Sequence, residues 1–243
     1  MYLSHSKTSH YEKCPFSYYL SYNFNLKCSA NKGMEYGTIN HNTLEDINNL
    51  IISGKDVEIN RELIHCIVEK YVKEYDFDKD AIESITDNLL YYWDEIGSKI
   101  EVLESEYDFR LIKSNHILNG SIDLIYKQDD KIHILDYKTG EIDEEFSETY
   151  KNQLYTYALA LKDDPKYKDS DFGNLQIYSI NKRSTFNIEL EEDKLTKRAE
   201  EIEKVAERIL NNDFKERAYK GGEIPKTCSK CMYKFMCIPK NQI

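Results

Sequence analysis

The chain of 243 residues contains no run of 18 apolar residues, so it offers no segment suited to crossing a membrane as a helix. Its opening, "MYLSHSKTSHYEKCPFSYYL", lacks the apolar stretch of a secretory leader. No G-x-x-x-x-G-K-[ST] phosphate loop occurs, which excludes an ATP motor of that type. Internal repeats and low-complexity tracts are absent. With 4 prolines and 9 glycines in total, no Pro-, Gly- or Ser-rich linker divides the chain. These absences lead to the expectation of a cytoplasmic protein with no membrane partner, organised as a single domain over residues 1–243. Hydrophobic residues make up 40% and charged residues 32%, a composition that can bury a full core and is not that of a disordered chain.

The formal net charge of −11 argues at first against a nucleic-acid partner, but the mean conceals a partition. Residues 1–34 carry four Lys and one Glu, and residues 194–240 carry 12 Lys and Arg against 7 Asp and Glu. Both ends are basic and the centre is strongly acidic. Charge alone therefore decides nothing about partners.

Helical spacing of Ile39, Leu44, Ile47 and Ile51 predicts a helix over 35–52 that carries His41 near its start. Two more amphipathic patterns, over 58–75 and 80–97, form a helical insertion spanning about 55–100. The period then changes. Residues 101–112, 116–126 and 131–138 read as three strands of a meander joined by short polar turns. A helix over 148–161, two strands ("LQIYSI" and "TFNIEL") and a long helix over 191–212 complete the order. It implies an α/β fold with one central mixed sheet flanked by helices.

Within "GSIDLIYKQDDKIHILDYKTG", residues 120–140, Asp123 and Asp136 interrupt apolar strand patterns. An unpaired buried carboxylate is expensive, so charges in these positions require a partner. Alternation along a strand puts Asp136 and Lys138 on one face and turns Tyr137 away. Asp123, one short turn earlier, can reach the same face. A divalent cation between the carboxylates removes their repulsion, and hard oxygen ligands suit Mg²⁺ or Mn²⁺. Such an ion beside a lysine suits phosphodiester hydrolysis, through an acidified water and a polarised phosphoryl group. In isolation, Asp-x-Lys fits an ordinary ion pair at a sheet edge equally well.

The six cysteines are unevenly placed. "TCSKCMYKFMC" sets Cys228, Cys231 and Cys237 in a C-x2-C-x5-C run, and Cys14 in "KCPF" is the candidate for a fourth ligand. Spacing alone favours a tetrahedral zinc site. Cys28 and Cys66 read as small buried hydrophobes.

Taken together, "GSID" and "LDYKTG" resemble the second and third motifs of the PD-(D/E)XK nuclease superfamily, in its RecB-like branch. "GTINH" resembles the upstream histidine motif, "QLYTYALAL" the Gln-x-x-x-Tyr helix, and "SHSKTSHYEKCPFSYYL" the opening segment with its Cys-Pro. The resemblance implies a restriction-endonuclease-like core and a metal-dependent DNA nuclease. An exonuclease acting on single strands or open ends is expected, in CRISPR adaptation or in repair. By the same resemblance His41, Asp123, Asp136 and the main-chain carbonyl of Tyr137 bind metal, Lys138 is catalytic, and Gln153 and Tyr157 contact DNA and steady the site. Glu106 matches an acidic position on the first strand, with a surface charge as the alternative. The cysteines Cys14, Cys228, Cys231 and Cys237 are similar to those holding a 4Fe–4S cluster in that branch, and would staple the two chain ends together. Expected partners are DNA and either a CRISPR integrase complex or a helicase. The competing expectation is a catalytically silent DNA-binding or scaffold module. With the basic ends joined, Tyr11, Phe16, Tyr18, Tyr233 and Phe235 would be placed to stack on unpaired bases.

Overall fold

The computed structural model describes residues 1–26, 31–140, 142 and 144–239, with the side chains of 144–147 left aside. Cys28 therefore lies outside the described residues. The chain divides into two compact units. One comprises Met1–Ser29, Ile112–Asn119 and Lys197–Ile243, and the other Ala30–Leu111 and Gly120–Thr196.

The larger unit contains most of the expected meander, of which residues 112 and 117–119 belong to the smaller: β2 (Glu101–Ile112), β3 (Ile117–Gln128) and β4 (Lys131–Lys138), followed by β5 (Phe172–Ser179) and β6 (Ser184–Ile188). β2 pairs with β3, β3 with β4 antiparallel, β4 with β5 parallel, and β5 with β6 antiparallel. The parallel β4–β5 step needs a long crossover, and α6 (Glu144–Asp163) supplies it. β4 is buried from Ile132 to Tyr137, as a central strand covered on both faces must be.

Three helices cover one face of the sheet: α3 (Lys32–Ile52), α4 (Arg61–Val72) and α5 (Lys79–Glu95). Each starts at a polar cap, where the side chains of Asn31, Asn60 and Asp78 accept the N–H of Met34, Leu63 and Ala81. Their apolar stripes (Ile39, Leu44 and Ile47; Ile64 and Val68; Ile85, Leu89 and Tyr92) merge with Leu124, Leu135 and Tyr137 of the sheet into one core. The segment expected as an insertion is thus a full layer of this core. Cys66, expected as a buried hydrophobe, is exposed. It falls between Ile64 and Ile67 in sequence, but on the outer side of α4, because the inward stripe runs through Ile64, Ile67 and Val68.

The smaller unit is built on α1 (His5–Lys13), α2 (Pro15–Tyr18) and most of α7 (Glu192–Leu210). Its core joins Tyr11, Tyr18, Val205 and Phe214. Arg198 is buried and satisfied by Glu12 at 2.7 Å, Glu201 at 3.2 Å and Thr8 at 3.1 Å, so its charge is fully engaged. A two-residue strand, β1 (Tyr2–Leu3), pairs parallel with Ile117 and Leu118 at the start of β3. Nothing in the sequence pattern predicts β1, because two residues are too few to show a period. Tyr11, Tyr18 and Tyr233 are buried here, so they cannot offer their faces to bases; Phe16 is half-buried and Phe235 exposed.

Candidate metal centre

The β3–β4 ladder ends at the pair Leu124–Leu135. One residue further, a side chain takes over the role of the backbone: Asp123 Oδ2 accepts the N–H of Tyr137 at 2.8 Å. This sets the Asp123 carboxylate between the two strands, on a sheet whose backbone groups would otherwise pair with each other. His41 comes from α3. That helix is tied to the strands by Asn48, whose amide donates to Ser105 Oγ at 3.2 Å.

His41 Nδ1 lies 3.5 Å from Asp123 Oδ2 and 3.6 Å from Glu106 Oε1. Among the described residues, His41, Glu106 and Asp123 form the one group of three ligand-type side chains whose donor atoms lie within 4.8 Å of one another. Glu106 stands in the middle of β2 with φ of 48°, the left-handed region that a residue with a Cβ seldom enters. Such a kink re-aims a strand side chain, and here it accompanies a carboxylate turned to the histidine. The acid in "SEYDF" was visible in the sequence; the backbone kink was not.

Asp136 and Lys138 point to the face that α6 covers, as alternation requires. Asp136 is 1% exposed, and its Oδ1 has no hydrogen-bond partner among the described residues. The Lys138 ammonium is in contact with Asp136 Oδ2, an ion pair between neighbouring positions on the same strand face. Lys138 Nζ also sits 5.1 Å from the centre of the Tyr150 ring, a contact no sequence motif signals. Burial pulls the Lys138 pKa down, but Asp136 and Asp123 outweigh it and leave it above the ordinary lysine value. Lys138 is therefore a cation at neutral pH. It can offset negative charge and donate hydrogen bonds.

The Tyr137 carbonyl, expected as a metal ligand, faces His41 Nε2 at 3.1 Å. When Nε2–H donates to that carbonyl, the Nδ1 lone pair is directed at Asp123 and Glu106, the tautomer a metal-binding histidine needs. Gln153 Nε2 donates to Tyr157 Oη at 2.6 Å. Tyr157 is buried, and burial first, then Asp136 and Asp123, raise its pKa well above the ordinary tyrosine value. It supports the acidic cluster from inside and has no free face for DNA, contrary to the contact role expected of it. Gly120 of "GSID" has a packing reason as well. A Cβ there would meet the Phe109 ring at 2.9 Å, and that ring packs edge-on against Tyr157 at 5.9 Å.

A mixed sheet flanked by helices, with a buried Asp-x-Lys beside a histidine and two further carboxylates, defines a metal-assisted hydrolase of phosphodiesters. The chain belongs to the PD-(D/E)XK nuclease superfamily, whose family model matches residues 2–238. A comparison with curated proteins gave no match. Among solved structures, a protein from Eubacterium rectale named provisionally as an exonuclease superposes with a TM-score of 0.60 at 11% identity, over 93% of this chain and 89% of that one. A second, SSO0001, has a TM-score of 0.44 at 14% identity, over 98% of this chain and 85% of that one. The first of these shares the fold.

Nucleases of this superfamily use divalent metals, and the donor set suits one: the buried carboxylate of Asp136, whose Oδ1 has no partner among the described residues, the carboxylates of Asp123 and Glu106, and one imidazole nitrogen. A divalent ion bound there supplies Lewis acidity and a water acidified to near-neutral pKa. Burial lowers the His41 pKa, but Asp123, Glu106 and Asp136 raise it further, to about 9. Burial and Asp136 raise that of Asp123 to about 7. Both groups thus hold protons that a cation must displace. Affinity for Mn²⁺ is expected to rise by about tenfold per pH unit over this range. Calorimetric titration at pH 6.5 and pH 8.5 checks this; equal affinities would remove His41 from the ligand set.

Cys14, Cys228, Cys231 and Cys237 gather in the smaller unit. Burial raises the Cys228 thiol pKa, and the thiols of Cys14, Cys231 and Cys237 raise it further, which places all four in one neighbourhood. Cys14 caps α2, its Sγ accepting from Ser17 N–H at 3.4 Å. Arg217 is beside Cys237 and pulls its pKa back down against burial.

Proposed function

We propose that this nuclease acts on DNA, as a RecB-like exonuclease that hydrolyses single-stranded or open-ended substrates with Mg²⁺ or Mn²⁺. The observation that carries the reading is the buried Asp136, unpartnered except for the Lys138 ammonium, next to the His41–Glu106–Asp123 group. Lys138 offsets the charge that grows on the phosphoryl oxygens as the bond to the attacking water forms. His41, Glu106, Asp123 and Asp136 hold the cation, and Gln153 and Tyr157 keep the carboxylates in place. The function fits a role beside a CRISPR integrase complex or a helicase, either of which exposes DNA ends.

The four-thiol site is read here as the seat of a 4Fe–4S cluster. A tetrahedral zinc with bonds of about 2.3 Å sets its thiolates roughly 3.8 Å apart. What supports the larger cofactor is the pairing of one distant N-terminal cysteine, Cys14, with the C-x2-C-x5-C run of Cys228, Cys231 and Cys237, four thiols that share one neighbourhood. Its role is to hold residue 14 to residues 228–237.

Cleavage of 5′- and 3′-end-labelled single-stranded DNA tests the function. Mononucleotide release that requires Mg²⁺ or Mn²⁺ and stops with chelator is expected. Internal cuts on circular single strands would mark an endonuclease instead, and no cleavage of any DNA with either metal would overturn the reading.

A further inference from the structure

In the smaller unit, Phe16, Tyr19, Asn212, Phe214, Lys215 and Arg217 line an open cavity of about 450 Å³. Its wall is aromatic and fixed. Phe214 is buried and stacks on Tyr19 at 5.0 Å with the rings 22° apart, and on Tyr18 at 6.1 Å with the rings 11° apart. The loop that carries Phe214 is tied down on both sides. Tyr11 Oη donates to the carbonyl of Asp213, and Phe16 N–H donates to that of Glu216 at 3.0 Å.

The charges around this cavity are unequally engaged. The acids on the loop are already paired: Asp213 with Arg208 at 2.8 Å, and Glu216 with Arg208 at 3.2 Å and Lys220 at 3.0 Å. Lys215 and Arg217 make no ion pair among the described residues. Arg217 instead lies over the Phe16 ring, 4.2 Å from its centre, with Cys237 beside it. Lys215 and Arg217, which form no ion pair with a carboxylate among the described residues, the aromatic wall and the amide of Asn212 are complementary to a phosphate, a base face and a base edge respectively. The volume lies in the range of small-ligand pockets and suits one nucleotide.

We propose that this cavity is a nucleotide subsite, in which one unpaired base of a single DNA strand packs against the half-buried Phe16 and Tyr19, with Phe214 backing them, while Lys215 and Arg217 hold its phosphates. A base inside a duplex has both faces covered by its neighbours and is refused. The inference deepens the reading as a DNA nuclease, and it is tested separately because binding is measured without divalent metal, where turnover plays no part.

The test uses the full chain and fluorescence anisotropy with labelled oligo-dT, an abasic strand of the same length, and a blunt duplex. Oligo-dT is expected to bind more tightly than the abasic strand by roughly 5- to 150-fold, the worth of one stacked base. Phe16→Ala should remove that advantage, and Phe16→Trp should keep it and show indole quenching by oligo-dT. Lys215→Gln should flatten the slope of log K against log salt by roughly 0.7, one phosphate contact on a single strand. Equal affinity of the wild-type protein for oligo-dT and the abasic strand overturns the subsite, whatever the outcome of the cleavage assays. So does a duplex bound as tightly as oligo-dT. Should Phe16→Ala fail to fold, the abasic comparison and Lys215→Gln decide.

Discussion

Lys138→Ala is expected to lower single-turnover DNA cleavage by about two to four orders of magnitude while Mn²⁺ binding persists. The ammonium is held in place by β4, by contact with Asp136 and by the ring of Tyr150. Its charge is present at neutral pH because the two aspartates outweigh the effect of burial. Truncation removes that charge from the transition state. It leaves the carboxylates free for a cation, since the competing positive group is gone. Asp136→Ala should behave differently and lose both metal and cleavage, because Asp136 offers a buried carboxylate whose Oδ1 has no partner among the described residues. Rapid-quench cleavage of labelled single-stranded DNA beside calorimetric Mn²⁺ titration separates the two variants. Equal cleavage by wild type and Lys138→Ala would reject the assignment of Lys138.

The second large effect concerns the cysteines. Anaerobically purified protein is expected to be brown with about four irons per chain, and Cys231→Ala to lose them all. Stability should fall by about 2–5 kcal/mol, by analogy with breaking a covalent bridge that closes a long loop. Residues 14 and 228 lie far apart in sequence, so the unfolded chain regains a large loop entropy when the link is cut. Cys66→Ala is the internal control. Cys66 is exposed on the outer side of α4, and its replacement should leave iron content unchanged and stability within about 0.5 kcal/mol. Elemental analysis together with denaturant unfolding provides the test. One zinc and no iron would establish the tetrahedral alternative.

Strand alternation placed Asp136 and Lys138 on one side and Tyr137 on the other, and helical spacing placed Ile39, Leu44 and Ile47 inward. Both patterns are local, and both hold. The segment over about 55–100 was legible as helices but not as a layer. Its stripes gain meaning only when they meet Leu124, Leu135 and Tyr137 across the sheet. Tyr157 was legible as one turn from Gln153, yet its burial depends on α6 lying against β4 and β5, which no spacing within α6 reveals.

The sequence by itself determined the order of elements, the Asp-x-Lys strand and the cysteine set, because periods of 2 and 3.6 residues and short motif spacings are properties of neighbouring positions. Tertiary structure alone decided which atoms meet. It brought His41 from α3 to Asp123 and Glu106, gave Glu106 a left-handed backbone within a strand, and engaged the Tyr137 carbonyl with His41 Nε2. It also buried Tyr11, Tyr18 and Tyr233 while leaving Phe16 beside an open cavity. The reason is physical: contacts between residues 41, 106, 123 and 137 are set by how helix and sheet pack, and packing is decided by shape and burial summed over the whole core.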